Sequence, residues 1–202
     1  VWDEPVDLEG WEPQNFAGGY RGLVTLQEAL RRSINTVAAQ VANDVGLGRI
    51  VETGHRLGIR SPLPELPAIA LGAAEVNLLE LTAAYSVFPR DGQRFDPWFI
   101  ERITNSRGEL LYEHPDRPAV QAITPQIARP MSTMLQDVVI SGTGRRAILA
   151  GGRGVGGKTG TSQSFRAAWF IGFTAAYTAG ARDGDAAHLS PRPIRRCRRS
   201  RR

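Results

Sequence analysis

Val37, Ala38, Val41, Ala42 and Val45 recur at the spacing that lines one face of an α-helix, and the Gly46 that follows suits the backbone that ends one. A shorter helix precedes them. Thr25-Leu26-Gln27-Glu28 has the form of a capping box, in which a hydroxyl and a carboxylate satisfy the free backbone donors of a helix start, and it leads into Ala29 and Leu30. This first helix is predicted to end near Arg32, which leaves Ser33-Ile34-Asn35 at a helix junction. A third helix is predicted over 49–57, stopped by Gly58, and a fourth from Asn77 and Glu80 through Tyr85 toward Phe88. Pro62, Pro64 and Pro67 lie in the connection between those two. Thr124 followed by Pro125 predicts the last helix, running to about Ile140 despite Pro130 and ended by Gly142 and Gly144.

Strand signals are fewer. Residues 98–104 and 109–112, joined by Asn105-Ser106-Arg107-Gly108, read as a hairpin. The Gly-rich stretch 151–157 leads into Lys158-Thr159-Gly160-Thr161, and residues 168–174 (Ala-Trp-Phe-Ile-Gly-Phe-Thr) read as a buried strand pairing antiparallel with it. The first 24 residues show no sustained periodicity and read as irregular. From Ala181 onward there is no apolar face, so 1–180 is expected to be the folded body and 181–202 a disordered tail.

Charge does little to change this picture once its position is known. The net charge is +5, but residues 181–202 hold eight Arg against Asp183 and Asp185, a balance of +6, and the remaining 180 residues sum to −1. A near-neutral body argues against a dedicated nucleic-acid-binding domain, which would carry its basic stripe on the fold. No run approaches the roughly 18 apolar residues of a membrane span, and no targeting segment is recognisable. Cys197 is the single cysteine, so no internal disulfide forms. His55, His114 and His188 have no metal-ligand spacing, and no metal or organic cofactor is expected. The tryptophans are expected to pack in the core or cleft. Of the 25 basic residues only Lys158 is a lysine.

Taken alone, Ser33 and Asn35 are ordinary helix-junction residues and Lys158 an ordinary surface charge. Together they read differently. Ser-x-Asn and Lys-Thr-Gly, in that order, are the second and third motifs of the serine acyl-transferases whose first is Ser-x-x-Lys. Further stretches extend the likeness: Asp3-Glu4-Pro5-Val6, Trp11-Glu12-Pro13-Gln14-Asn15, Thr25 to Leu30, Leu71-Gly72 with Glu75-Val76, Gly142-Thr143-Gly144 and Ala168-Trp169-Phe170. On these residues, 1–180 resembles the transpeptidase domain of class A, bifunctional penicillin-binding proteins.

The resemblance implies an α+β fold of the β-lactamase and transpeptidase type, helices packed on an antiparallel sheet, here incomplete. It implies D-Ala-D-Ala transpeptidation in peptidoglycan synthesis, a cell-wall function with peptidoglycan stem peptides and β-lactams as partners. The parent protein would be membrane-anchored and act on the outer face of the bacterial cytoplasmic membrane. Ser33 would relay a proton, Lys158 would tune that relay across the cleft, and Thr161 would offer its backbone N–H to an oxyanion. Asn35, Thr159, Gly160 and Thr161 would bind substrate, and Ser33 and Lys158 should meet at hydrogen-bonding distance.

Three departures qualify this. No Ser is followed by Lys three positions later, so the nucleophile motif is missing and the chain is expected to be inactive alone. Ala167 stands where relatives commonly have Asp. The stretch 181–202 resembles translation in another reading frame, where the family would continue with a sheet strand. The alternatives are a noncatalytic fragment that binds peptidoglycan peptides, and a polyanion binder acting through its tail.

Overall fold

The computed structural model describes residues 1–116, 118–161 and 167–184. Among the described residues five helices form close to where the sequence signals place them: α1 (Leu26–Arg32), α2 (Asn35–Val45), α3 (Leu47–Arg56), α4 (Leu78–Tyr85) and α5 (Pro125–Ser141). Thr25 caps α1 through its hydroxyl, which accepts the Glu28 N–H at 3.1 Å. The carboxylate of Glu28 goes to Arg32 at 2.8 Å, one helical turn on, so the second half of the expected capping box gives way to an ion pair within the helix. Pro125 opens α5, but the Thr124 side chain makes no capping bond. Gly46, at φ 93°, is the sole residue between α2 and α3, and α4 ends before Phe88, which begins a separate 3-10 turn over Phe88–Arg90.

The main sheet is a three-stranded antiparallel meander of β7 (Gly156–Thr161), β8 (Ala167–Phe173) and β9 (Thr178–Gly184), in that order. β9 continues past position 181, where the sequence pattern fades. Its register with β8 is unbroken from Phe173↔Thr178 to Ala167↔Gly184, because backbone pairing does not require an apolar alternation. The turn before it is closed by Thr174, whose hydroxyl accepts the N–H groups of Ala176 and Tyr177. The rest of the tail, with His188 and Cys197, lies outside the described residues, as does Ser162.

Among the described residues three small antiparallel pairs accompany the meander. β1 (Trp2–Asp3) with β2 (Gly22–Leu23) lies in the opening segment that lacks periodicity, and β3 (Gln93–Arg94) pairs with β6 (Val120–Gln121). The hairpin is shorter than its apolar run: β4 (Arg102–Thr104) and β5 (Leu110–Glu113). Two-residue strands carry no period-2 signal and exist through long-range pairing.

Helices pack on one another and on the meander. α5 lies against β7 and α1, and α4 crosses β8 and β9. At that crossing a Cβ on Gly180 would stand 2.0 Å from Thr82 Oγ1, so the small residue sets how closely α4 approaches the sheet. Leu135, Val138 and Val139 of α5, together with Val37, Val87, Ile171 and Phe173, form the buried apolar interior. Trp2 and Trp98, expected to pack in the core or cleft, are not in the core: both are more than half exposed, and Trp98 lies flat against the His114 ring at 4.6 Å. Among the described residues no helix is long and apolar enough to cross a membrane.

Leu135 is 1% exposed, so Leu135→Ala opens a cavity where α5 meets its neighbours. The expected loss is about 2–5 kcal/mol, read as a lower denaturant midpoint at constant slope. A loss below about 1 kcal/mol would mean that α5 does not carry the core.

Candidate active site

The last turn of α1 delivers Ser33 to the cleft. The Ser33 N–H donates to the Leu30 carbonyl at 3.2 Å and the Ile34 N–H to Ala29 at 2.9 Å, the two bonds of a Schellman cap. The residue at the turning point of that cap is left-handed, usually a glycine, yet here it is Ser33 at φ 56°, ψ 51°. A side chain in that conformation costs about 1 kcal/mol. In exchange the hydroxyl points away from the helix and toward the sheet.

Lys158 meets it from the third residue of β7. Its amine donates to Ser33 Oγ, across 125 positions of sequence, and to the Thr159 carbonyl at 2.9 Å. Burial pushes the Lys158 amine down to about 8, since removing an ammonium from water disfavours its charged form. A fraction of the amine is therefore unprotonated near neutral pH, and such a group can both accept and return a proton.

Other third-motif residues follow the strand. Thr159 is half-buried and its Oγ1 lies 2.7 Å from Thr143 Oγ1. Gly160 is exposed opposite Trp169, and Thr161 is exposed opposite Ala168 near the end of β7. A Cβ on Gly160 would make only ordinary contact at 3.5 Å, so its lack of a side chain keeps the rim of the cleft open rather than relieving a clash within the protein.

Asn35 begins α2, but its amide nitrogen is engaged by the Gln14 carbonyl at 2.8 Å. Ile34 stands at the capping position of α2 and offers no acceptor, so the opening segment folds over the helix start. Asn15 Oδ1 accepts the N–H groups of Asn35 at 2.9 Å and Thr36 at 3.3 Å, a cap supplied from 20 residues away.

Asn15 is itself held by Asp3, whose buried carboxylate accepts from Asn15 Nδ2 at 2.7 Å, Thr36 Oγ1 at 2.6 Å and the Arg21 N–H at 3.0 Å. Sequence reasoning assigned no role to Asp3, Asn15 or Thr143. Their signal lay in the Asp-Glu-Pro, Trp-x-Pro-x-Asn and Gly-Thr-Gly stretches, which carried the resemblance without revealing what they bind.

A Ser-x-Asn turn facing a Lys-Thr-Gly strand, on helices packed over an antiparallel sheet, defines the architecture of the penicillin-recognising serine acyl-transferases. Residues 1–180 match the penicillin binding protein transpeptidase domain, and the chain belongs to that family. It is 40% identical over 171 residues to penicillin-binding protein 1A of Aquifex aeolicus, covering 85% of this chain and 23% of that protein. The chain thus spans about a quarter of the length of the curated relatives it matches. Among solved structures, penicillin-binding protein 1A of Haemophilus influenzae superposes with TM-score 0.73 at 26% identity, over 86% of this chain and 32% of that one. PonA1 of Mycobacterium tuberculosis in complex with penicillin V has the same fold, at TM-score 0.77 and 23% identity over 88% of this chain and 52% of that one.

Two measurements test the site's construction. An ordinary lysine titrates near 10.5 and folded Lys158 near 8, so between those values the unfolded chain holds a proton that the folded chain has released. Stability should therefore rise with pH across that window. The rise is best read below pH 10, because the half-buried Tyr85, whose hydroxyl desolvation pushes up to about 12, opposes it above. Lys158→Met should flatten the rise, and an unchanged slope would contradict the assignment. Separately, Asn15→Ala removes the cap of α2 and should cost about 1–3 kcal/mol. A neutral result in urea unfolding would show that the cap is dispensable.

Proposed function

We propose that this chain forms the second- and third-motif walls of a peptidoglycan D-Ala-D-Ala transpeptidase, with the nucleophile supplied by a Ser-x-x-Lys segment outside it. The observation that carries this reading is the contact between Ser33 and the lowered-pKa amine of Lys158. In the acylation step the nucleophile's oxygen bonds to the penultimate D-Ala carbonyl carbon. Its proton leaves through the Ser-Lys network, with Ser33 handing one proton to the departing D-Ala nitrogen as the C–N bond breaks. An amine of a neighbouring stem peptide then displaces the serine oxygen, which regains a proton, and the cross-link is made.

Lys158 keeps Ser33 oriented and supplies positive charge when protonated. Thr159 and Thr161 hydroxyls take the terminal carboxylate, and the Thr161 N–H with the nucleophile's own N–H stabilises the oxyanion. Asn35, anchored by Gln14, presents its amide oxygen to the substrate backbone, and Gly160 leaves that backbone room to lie along β7. A β-lactam enters the same chemistry by opening its ring amide onto the nucleophile; the PonA1 complex with penicillin V supports that ligand class. The setting is the outer face of the bacterial cytoplasmic membrane, where stem peptides are cross-linked.

Fluorescent penicillin gives the test. This chain should not be labelled, since it contains no Ser-x-x-Lys. Joined to the Ser-x-x-Lys segment of its longer protein it should be, and Lys158→Ala or Ser33→Ala should slow labelling on the order of 100-fold. Stoichiometric labelling of the chain alone, or undiminished labelling of the Lys158→Ala protein, would sink the reading.

A further inference from the structure

The corner Gly142-Thr143-Gly144, at the end of α5, has no part in the chemistry above, yet its backbone is held from several directions. The N–H groups of Gly142 and Gly144 both donate to the Val138 carbonyl, at 3.1 and 3.0 Å. The Thr143 N–H donates to the Arg31 carbonyl at 3.2 Å, in the same turn of α1 that presents Ser33. Nor can the corner back away: a Cβ on Gly142 would stand 2.4 Å from that carbonyl oxygen, so the two backbones are already in contact. Thr143 is therefore placed relative to the helix end and the strand at once. Its hydroxyl spends that placement on Thr159 Oγ1, 2.7 Å away, with Thr143 exposed and Thr159 half-buried at the cleft wall.

Each of these hydroxyls owns one proton, so the pair has two possible orders. If Thr159 donates to Thr143, its lone pairs face the cleft and repel an anion. If Thr143 donates to Thr159, the Thr159 proton is free for a ligand, and its donor strength is raised by the bond it accepts. A carboxylate only accepts and selects the second order. A carboxamide, which can donate or accept, is served by either.

We propose that Thr143 is a positioning residue: in the order a carboxylate selects, its O–H donates to Thr159 and strengthens Thr159 as a hydrogen-bond donor, so that the cleft favours ligands ending in a carboxylate over the carboxamide. This rests on the reading that Thr159 takes the terminal carboxylate of a D-Ala-D-Ala peptide. Thr143 itself does not touch the ligand; it acts through the neighbouring hydroxyl. Thr143→Val keeps the shape of the side chain and removes the O–H, whereas Thr143→Ser keeps the O–H.

The experiment is an NMR titration of the 202-residue chain with an N-acylated D-Ala-D-Ala peptide and with the same peptide ending in a carboxamide. The unsubstituted chain should prefer the carboxylate. Thr143→Val should weaken carboxylate binding by up to about twofold, the scale of cooperative strengthening of one hydrogen bond, and leave carboxamide binding unchanged, while Thr143→Ser should restore the preference. Equal weakening toward both peptides would make Thr143 merely structural and overturn the inference. Unchanged carboxylate binding in Thr143→Val, with the preference intact, would overturn it too and leave the proposed function standing. An unsubstituted chain that binds neither peptide would overturn the ligand reading of the site and this inference with it.

Discussion

One half-buried amine held against one hydroxyl is the contact around which the site is arranged. Lys158 lies on a sheet strand and Ser33 at a helix end, so their contact joins the two layers of the fold at the cleft. Both groups pay for the meeting. Ser33 adopts a left-handed backbone better suited to glycine, and Lys158 gives up enough hydration that its pKa falls to about 8. Groups this disfavoured stay in place only when their surroundings over-determine them.

The surroundings do so from both sides of the cleft. On the helical side, the Asp3 carboxylate organises Asn15, and Asn15 caps α2, so the turn between α1 and α2 is clamped by a buried polar network whose donors are matched. On the sheet side, Gly156 and Gly157 lie directly under Phe173 and Phe170, with no room for a Cβ, which seats β7 firmly on β8 before the lysine begins. The corner at Thr143 joins the sides, touching Arg31 of α1 by its backbone and Thr159 of β7 by its hydroxyl. A site carried on rigid elements and supported by such neighbours keeps its geometry without relying on mobile loops.

Legibility in the sequence followed the range of the forces involved. Helices α2 and α5 were readable because an apolar stripe at helical spacing reports burial along one element, and Ser33-Ile34-Asn35 could be placed at a junction from the signals around it. The Lys-Thr-Gly strand and its aromatic partner β8 were readable for a similar reason. Illegible were the short pairs β1–β2 and β3–β6, which exist only because distant segments meet, and the far end of β9, where backbone pairing outlasts any apolar pattern. Trp2 and Trp98, expected in the core or cleft, are more than half exposed and outside the core, since hydrophobic type alone does not say which face has a neighbour.

By itself the sequence determined the residue types of the site, their order and the helix and strand that carry them, because motif chemistry and local periodicity are written into neighbouring positions. Only the tertiary structure decided that Ser33 turns left-handed to reach the lysine, that Asn15 rather than Ile34 caps α2, and that Asn35 is tethered to Gln14. It also decided that Thr143 stands beside Thr159. Each of these depends on which distant backbone comes within about 3 Å of a given side chain, and no spacing along the chain encodes that distance.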